Sequence, residues 1–291
     1  AEQAGALDVR ADLRGERWGE LAAWDGESYL ELRDADLSAW RPWLDYPIEL
    51  PRGFGSLRAW VTLRDLSPVA VKLDLALAQV AVRLGAELPL MELAEASGRL
   101  SASRGAATDP DGTITVAGQN LVLVLGEGAP AQRFAPAAFR FAWQPSVAKR
   151  PEHGELSGRG LDLEVLSHLT SYLPLPKSLR EQIAAHAPRG QIAEMSFVWS
   201  GALAAPTAFK VDANFRGLGH SAAGGVPGFS GLSGHLVGTE TAGTLSIDGG
   251  AAVFELPEML AEPRVALDRL GVRGSGERAQ TRRGFGGGGG R

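Results

Sequence analysis

The chain has 291 residues, 44% of them hydrophobic, with a formal net charge of −5 and no cysteine. Such length and apolar content suit a folded protein with a sizeable core, and the missing cysteine excludes disulfides, thiolate zinc sites and cysteine nucleophiles. Arginine outnumbers lysine 25 to 4, but except near the end the basic residues are scattered, mostly at alternating positions, so no basic stripe exists to neutralise a phosphate backbone and nucleic acid is not an expected partner.

No apolar run approaches the ~20 residues that a membrane helix requires, and the first residues lack the basic, apolar, small-residue order of a signal peptide. The chain starts in mid-pattern at Ala1 and reads as a fragment, so that any membrane anchor of the parent protein lies outside it.

Taken in chain order, Trp40-Arg41-Pro42-Trp43 predicts a helical turn or corner. Leu57, Ala59, Val61 and Leu63 then alternate with polar neighbours and predict a half-buried strand. Val69, Val71, Leu73, Leu75 and Leu77 continue at odd positions, but Val80, Val82 and Leu84 are even. One extra bulge residue near Ala78-Gln79 produces such a change of parity, so the stretch predicts a long, bent strand. Asp109-Pro110-Asp111-Gly112 predicts a hairpin turn before Ile114.

Phe139, Phe141 and Trp143 alternate, as do Met195, Phe197 and Trp199 with Glu194 and Ser196 on the other face. The cleanest case is Phe209-Lys210-Val211-Asp212-Ala213-Asn214-Phe215-Arg216, apolar at every odd position. Leu245 and Ile247 repeat the pattern against Ser246 and Asp248. Helical signal is confined to residues 163–187, as a short helix over 163–172 and an amphipathic one over 176–187. Leu179 and Ile183 share a face of the second, expected to lie on the sheet as a cap or over a groove opening as a gate, while Lys177, Arg180 and Glu181 face water. A loose strand–turn–strand repeat begins near Gly26, Gly154 and Gly243, as in a sheet that grows along one axis. The expected organisation is a β-rich groove segment over 1–153, a second over 154–270 with the helical insertion, and a disordered Arg/Gly tail over 271–291.

Candidate chemistry is sparse. His153, His168, His186, His220 and His235 show no helical metal-site spacing, and no nucleophile elbow accompanies them. The twelfth position of a calcium-like loop that begins at Asp109-x-Asp111-Gly112 is Asn120, not the bidentate Glu. Asp36, Glu155 and Asp162 read as solvated carboxylates. No catalytic residue, metal or cofactor is expected. The abundance of alternating strand with few helices leaves an apolar face in need of a second sheet or a lipid.

The order Trp40-Arg41-Pro42-Trp43-Leu44, Tyr172-Leu173-Pro174-Leu175-Pro176, Pro188-Arg189-Gly190, Val226-Pro227-Gly228-Phe229-Ser230-Gly231 and Gly243-Thr244-Leu245-Ser246-Ile247-Asp248 resembles an interior segment of YhdP-like proteins. The likeness spans about residues 5–270; beyond Leu270 an Arg/Gly tail replaces an expected strand, as at a truncated or frameshifted gene end. The family is similar to TamB and to the bridge-like lipid-transfer proteins of eukaryotes. The resemblance implies an elongated, strongly curved antiparallel sheet with one or two short helices, an inner-membrane anchor, a periplasmic location and an apolar groove. It implies phospholipid as cargo, outer-membrane or other envelope proteins as further partners, and no catalysis. Leu57, Val61, Leu63, Val69, Val71, Leu73, Leu75, Leu77, Phe139, Phe141, Trp143, Phe197, Phe209, Val211, Phe215, Leu245 and Ile247 are the expected groove lining. The alternative is a structural or assembly protein of the envelope with a closed β-sandwich core.

Overall fold

The computed structural model describes residues 5–17, 23–40, 48–105, 112–126, 132–133, 136–147, 150–203, 205–255 and 264–277. The described residues form one antiparallel sheet of fourteen strands. They are β1 (Ala6–Arg14), β2 (Asp25–Asp36), β3 (Glu49–Arg64), β4 (Ser67–Arg83), β5 (Met91–Arg104), β6 (Ile114–Leu125), β7 (Gln132–Arg133), β8 (Ala137–Gln144) and β9 (His153–Asp162), followed by β10 (Arg189–Ser200), β11 (Ala208–His220), β12 (Gly228–Thr239), β13 (Ala242–Glu255) and β14 (Arg264–Glu277). Neighbours in sequence are neighbours in the sheet throughout, except that two-residue β7 pairs only with β6 and lies off the main path. The sheet does not close into a barrel. Since only one sheet is present among the described residues, the face-to-face packing of a sandwich is not its architecture.

Among the described residues, α-helices occur only where the chain leaves β9. α1 (Leu163–Leu169) runs into a 3-10 turn (Thr170–Tyr172), and α2 (Lys177–His186) follows. Asp162 caps α1, its carboxylate accepting from the backbone N–H of Glu164 and Val165 at 3.0 and 3.2 Å. This carboxylate is therefore not merely solvated as expected: it satisfies two of the N–H groups that a helix start leaves open. Asp36 does similar work, accepting from the Ser38 N–H and hydroxyl at 2.9 and 2.6 Å, and Glu155 pairs with Arg140 at 3.2 Å. α2 ends at Ala187, which adopts the left-handed conformation at φ 42°.

The expected parity change in β4 is a real bulge. Gln79 has φ 52°, and the pairing of β4 with β3 slips by one residue between Phe54↔Ala78 and Arg52↔Ala81. Asp34 of β2 (φ 47°) and Asn120 of β6 (φ 50°) sit beside equivalent slips, so three alternate strands carry an extra residue within a few positions of one row. Gly217 and Gly231 mark further slips in β11 and β12. Together they draw a crease across the strands. Each bulge bends its strand and resets its alternation, so apolar side chains point inward on both sides of the crease. One such core, formed by Leu32, Ala35, Leu37, Leu50, Val80, Val82, Met91, Leu93 and Ala96, lies along it. Leu169 and Tyr172, from the connection after β9, pack against this core, whose strand residues come from β2–β5, which requires the sheet to curl.

Three expectations change. β14 extends through Glu277, paired with Ala242, so residues 271–277 are strand and not tail; residues 278–291 lie outside the described set. The sheet runs without a break through the β8–β9 pair Gln144↔His153, so residue 153 marks no interruption. Leu179 remains 41% exposed while Ile183 is half-buried, because α2 leans on α1 and its 3-10 turn instead of laying both residues on the sheet. Trp40 ends a 3-10 turn (Leu37–Trp40). Residues 41–43 of the expected corner and 109–111 of the expected hairpin turn lie outside the described residues, although β5 and β6 do pair as a hairpin around the latter.

The crease makes a test of its own. Gln79→Gly should leave stability unchanged or raise it by up to ~1 kcal/mol, because glycine adopts positive φ freely. Gly98→Ala would place a Cβ 2.7 Å from the Asn120 carbonyl oxygen at φ 129°. A loss of roughly 1–3 kcal/mol is expected from such strain, read as the difference in urea-unfolding midpoint between the two variants.

Candidate functional site

Register turns the alternation of separate strands into continuous rows. Directly opposed residues form one row of Val9, Leu30, Ala59, Leu73, Leu100, Gly118, Phe139, Gly158, Met195, Ala213, Leu236 and Leu245. A second joins Val61, Val71, Ala102, Val116, Phe141, Leu156, Phe197 and Val211. Leu32, Leu57 and Leu75 make a third near the crease, and Ile192, Phe215 and Ile247 occupy its other end, with Gly234 between the last two. Trp143 and Phe209 belong to a fourth, through Gly154 and Trp199.

The residues singled out in the sequence thus share one face. Most are half-buried, including Leu57, Val61, Leu63, Val69, Val71, Leu73, Leu75, Leu77, Phe139, Phe141, Trp143, Phe197, Phe209, Val211, Leu245 and Ile247, whereas Phe215 is fully buried. On the edge strand, Leu7 and Val9 are 44% and 58% exposed. Half-burial leaves part of each side chain exposed, and the rows make a continuous apolar face whose long axis crosses the strands.

Sequence reasoning missed Leu30, Leu100, Val116, Leu156 and Leu236, which stand in the same rows, and it left Met195, recognised as a strand residue, out of the expected lining. Leu100 sits in a serine-rich strand and Leu236 among glycines, where the alternation is between small and polar residues and is weak. Their signal is positional: each stands opposite a residue already recognised.

The other face is a ladder of charge. Asp8, Glu31, Arg58, Asp74 and Arg99 are opposed in register across β1–β5. Arg58 donates to Glu31 at 2.9 Å and Arg99 to Asp74 at 2.7 Å. Arg159 reaches Glu194 at 3.0 Å, and His235 lies 2.8 Å from Asp212. Glu31 is buried, with Arg33 at 2.8 Å in addition to Arg58. Those hydrogen bonds, Arg33 first, hold its carboxyl at about 2 against an ordinary 4.5, and Arg99 holds that of Asp74 low in the same way.

His153 and Ser200 are cross-strand neighbours, with Nδ1 3.3 Å from Oγ, but no carboxylate is recorded on that imidazole. Among the described residues there is no group of three or more side chains placed to hold a metal ion. No helix among them is long and apolar enough to cross a membrane.

The family model described as YhdP protein matches residues 1–284. The chain belongs to the YhdP family. The match runs past Leu270, where the sequence likeness was expected to stop, and agrees with β14 continuing the sheet to Glu277. No curated protein and no solved structure matches.

The charge ladder predicts an acid limit. A carboxyl whose folded pKa is depressed stabilises the fold above its unfolded pKa, and that contribution is lost as pH falls through the folded value. For Glu31 the window runs from 4.5 down to about 2. The melting temperature of the wild type should fall across this window, and that of Glu31→Gln, lower at neutral pH, should fall less.

Proposed function

We propose that this chain is a length of a periplasmic phospholipid conduit, in which acyl chains lie in the apolar trough and headgroups stay in water. The observation that carries the reading is a face of Val, Leu and Phe side chains, continuous in register across the sheet and only half-buried. Full burial of such a side chain gains roughly 1.5–3 kcal/mol, so an uncovered face leaves much of that unrealised at each position. Acyl chains recover it at ~0.8 kcal/mol per buried methylene. Family membership points the same way, to an envelope protein concerned with lipid transport.

The trough's geometry suits movement. Strands are ~4.8 Å apart, so a row crossing thirteen of them runs about 58 Å, roughly twice the ~30 Å hydrocarbon thickness of a bilayer. Successive strands offer similar shallow apolar contacts, and a chain can step from one to the next without leaving a deep well. The role is non-enzymatic: the protein lowers the cost of carrying apolar chains through water. An inner-membrane anchor outside these residues and envelope partners on the outer-membrane side complete the bridge in this reading.

Photo-crosslinking side chains placed at Leu73 and Val211, on the trough, should capture phospholipid in cells. The same groups at Lys72 and Asp212, on the charged face, should not. Equal labelling of the two faces, or of neither, contradicts the conduit.

A further inference from the structure

Along its axis the trough changes chemistry. Between β3 and β6 the lining is aliphatic, with Val61, Val71, Leu73 and Leu100. Between β8 and β11 it is aromatic. The Trp199 ring lies 6.0 Å from Phe141 and 5.4 Å from Phe197, stacked on the latter, and Phe197 lies 6.1 Å from Phe209. Large rings crowded on one face would rise into the trough and fill it.

Glycine keeps them down. Trp199 is directly opposed to Gly154, and a Cβ added there would overlap its Cζ2, Cη2 and Cε2 atoms. The indole therefore lies across the bare backbone of β9, and Trp199 is only 1% exposed. Phe139 stands in the same relation to Gly118, where an added Cβ would come within 2.6 Å of its Cε1. These are cross-strand aromatic–glycine pairs. The Trp199 Nε1 has no hydrogen-bond partner among the described residues. No polar anchor fixes the ring, so its position depends on the space that Gly154 leaves.

We propose that Gly154 is a positioning residue for lipid passage: by letting Trp199 lie flat, it keeps the aromatic stretch of the trough deep enough for an acyl chain. Gly118 acts likewise under Phe139. The inference rests on the conduit reading above. Trp199 is itself covered, so a methyl group at position 154 acts through its ring neighbours: it pushes the indole away from β9, and with it the stacked Phe197 and the adjacent Phe141 into the trough.

The test places photo-crosslinking groups at Leu73 and at Leu245, on either side of the aromatic stretch, in the protein as it exists in cells. Phospholipid labelling at the two positions is compared in the wild type, Gly154→Ala, Trp199→Leu, and the double variant Gly154→Ala/Trp199→Leu. Gly154→Ala should change the ratio of labelling at the two positions several-fold, because lipid no longer passes between them. Trp199→Leu sets its own baseline, and adding Gly154→Ala to it should leave that baseline ratio unchanged, since a smaller side chain leaves room for the added methyl group. An unchanged ratio in Gly154→Ala overturns this inference while leaving the conduit standing. A change on adding Gly154→Ala that is as large in the Trp199→Leu background as in the wild type also overturns it, as general damage to the sheet. Should Gly154→Ala accumulate too poorly to label, the Trp199→Leu pair decides alone, equal ratios with and without Gly154→Ala supporting the inference and unequal ratios refuting it. Labelling at neither position in the wild type removes the conduit, and this inference with it.

Discussion

Everything in this molecule depends on keeping one face of a single sheet apolar over strands long enough to bend. Alternation with a period of two does this for a straight strand, but a strand that folds back toward itself needs its apolar side chains to point into the fold from both arms. The extra residues at Asp34, Gln79 and Asn120 meet that need. Each resets the alternation where the bend falls, so that Leu77 on one side of the β4 bulge, and Val80 and Val82 on the other, contribute to the same interior. Aligned from strand to strand, the bulges become a crease across the meander.

The charged face contributes by exclusion. A sheet with one apolar face can bury it against a second sheet, against helices or against a ligand. Among the described residues the α-helices are few and lie in one place, between β9 and β10. The outward face carries carboxylates and arginines opposed in register, among them Glu31 held between Arg33 and Arg58. Such a face is not a surface for stacking a further sheet, and the ladder gives several strand pairs, among them β2–β3, β4–β5, β9–β10 and β11–β12, a cross-strand contact of their own. Among the described residues no second sheet covers the inner face, and its half-buried Val, Leu and Phe side chains support the lipid reading proposed above.

Much of this architecture was legible in the sequence because the alternation is written in large residues. Val71, Leu73, Phe209 and Val211 declared their strands and their shared side, and the slip near Gln79 announced a bulge before any coordinates. The helices over residues 163–187 followed from Pro176, Pro188 and a short apolar period. The misreadings have physical causes. Leu179 looks like a burial residue on a helical wheel, yet α2 rests on α1 and its 3-10 turn. Asp162 looks like a turn carboxylate, yet it caps a helix that begins one residue later. Trp199 and Gly154 cannot be linked by spacing, because they are 45 positions apart and meet only through the β9–β10 register. Nor could the sequence alone show that residues 271–277 extend the sheet, since their glycines and arginines weaken the alternation while the backbone still pairs.

The central claim is that the half-buried face holds acyl chains. Native mass spectrometry of the protein purified without harsh detergent tests it most directly. The account predicts adducts of phospholipid mass on the folded protein, fewer of them when Leu73 and Val71 are replaced by aspartate. A folded wild-type protein that carries no lipid under conditions that preserve other protein–lipid complexes would contradict it.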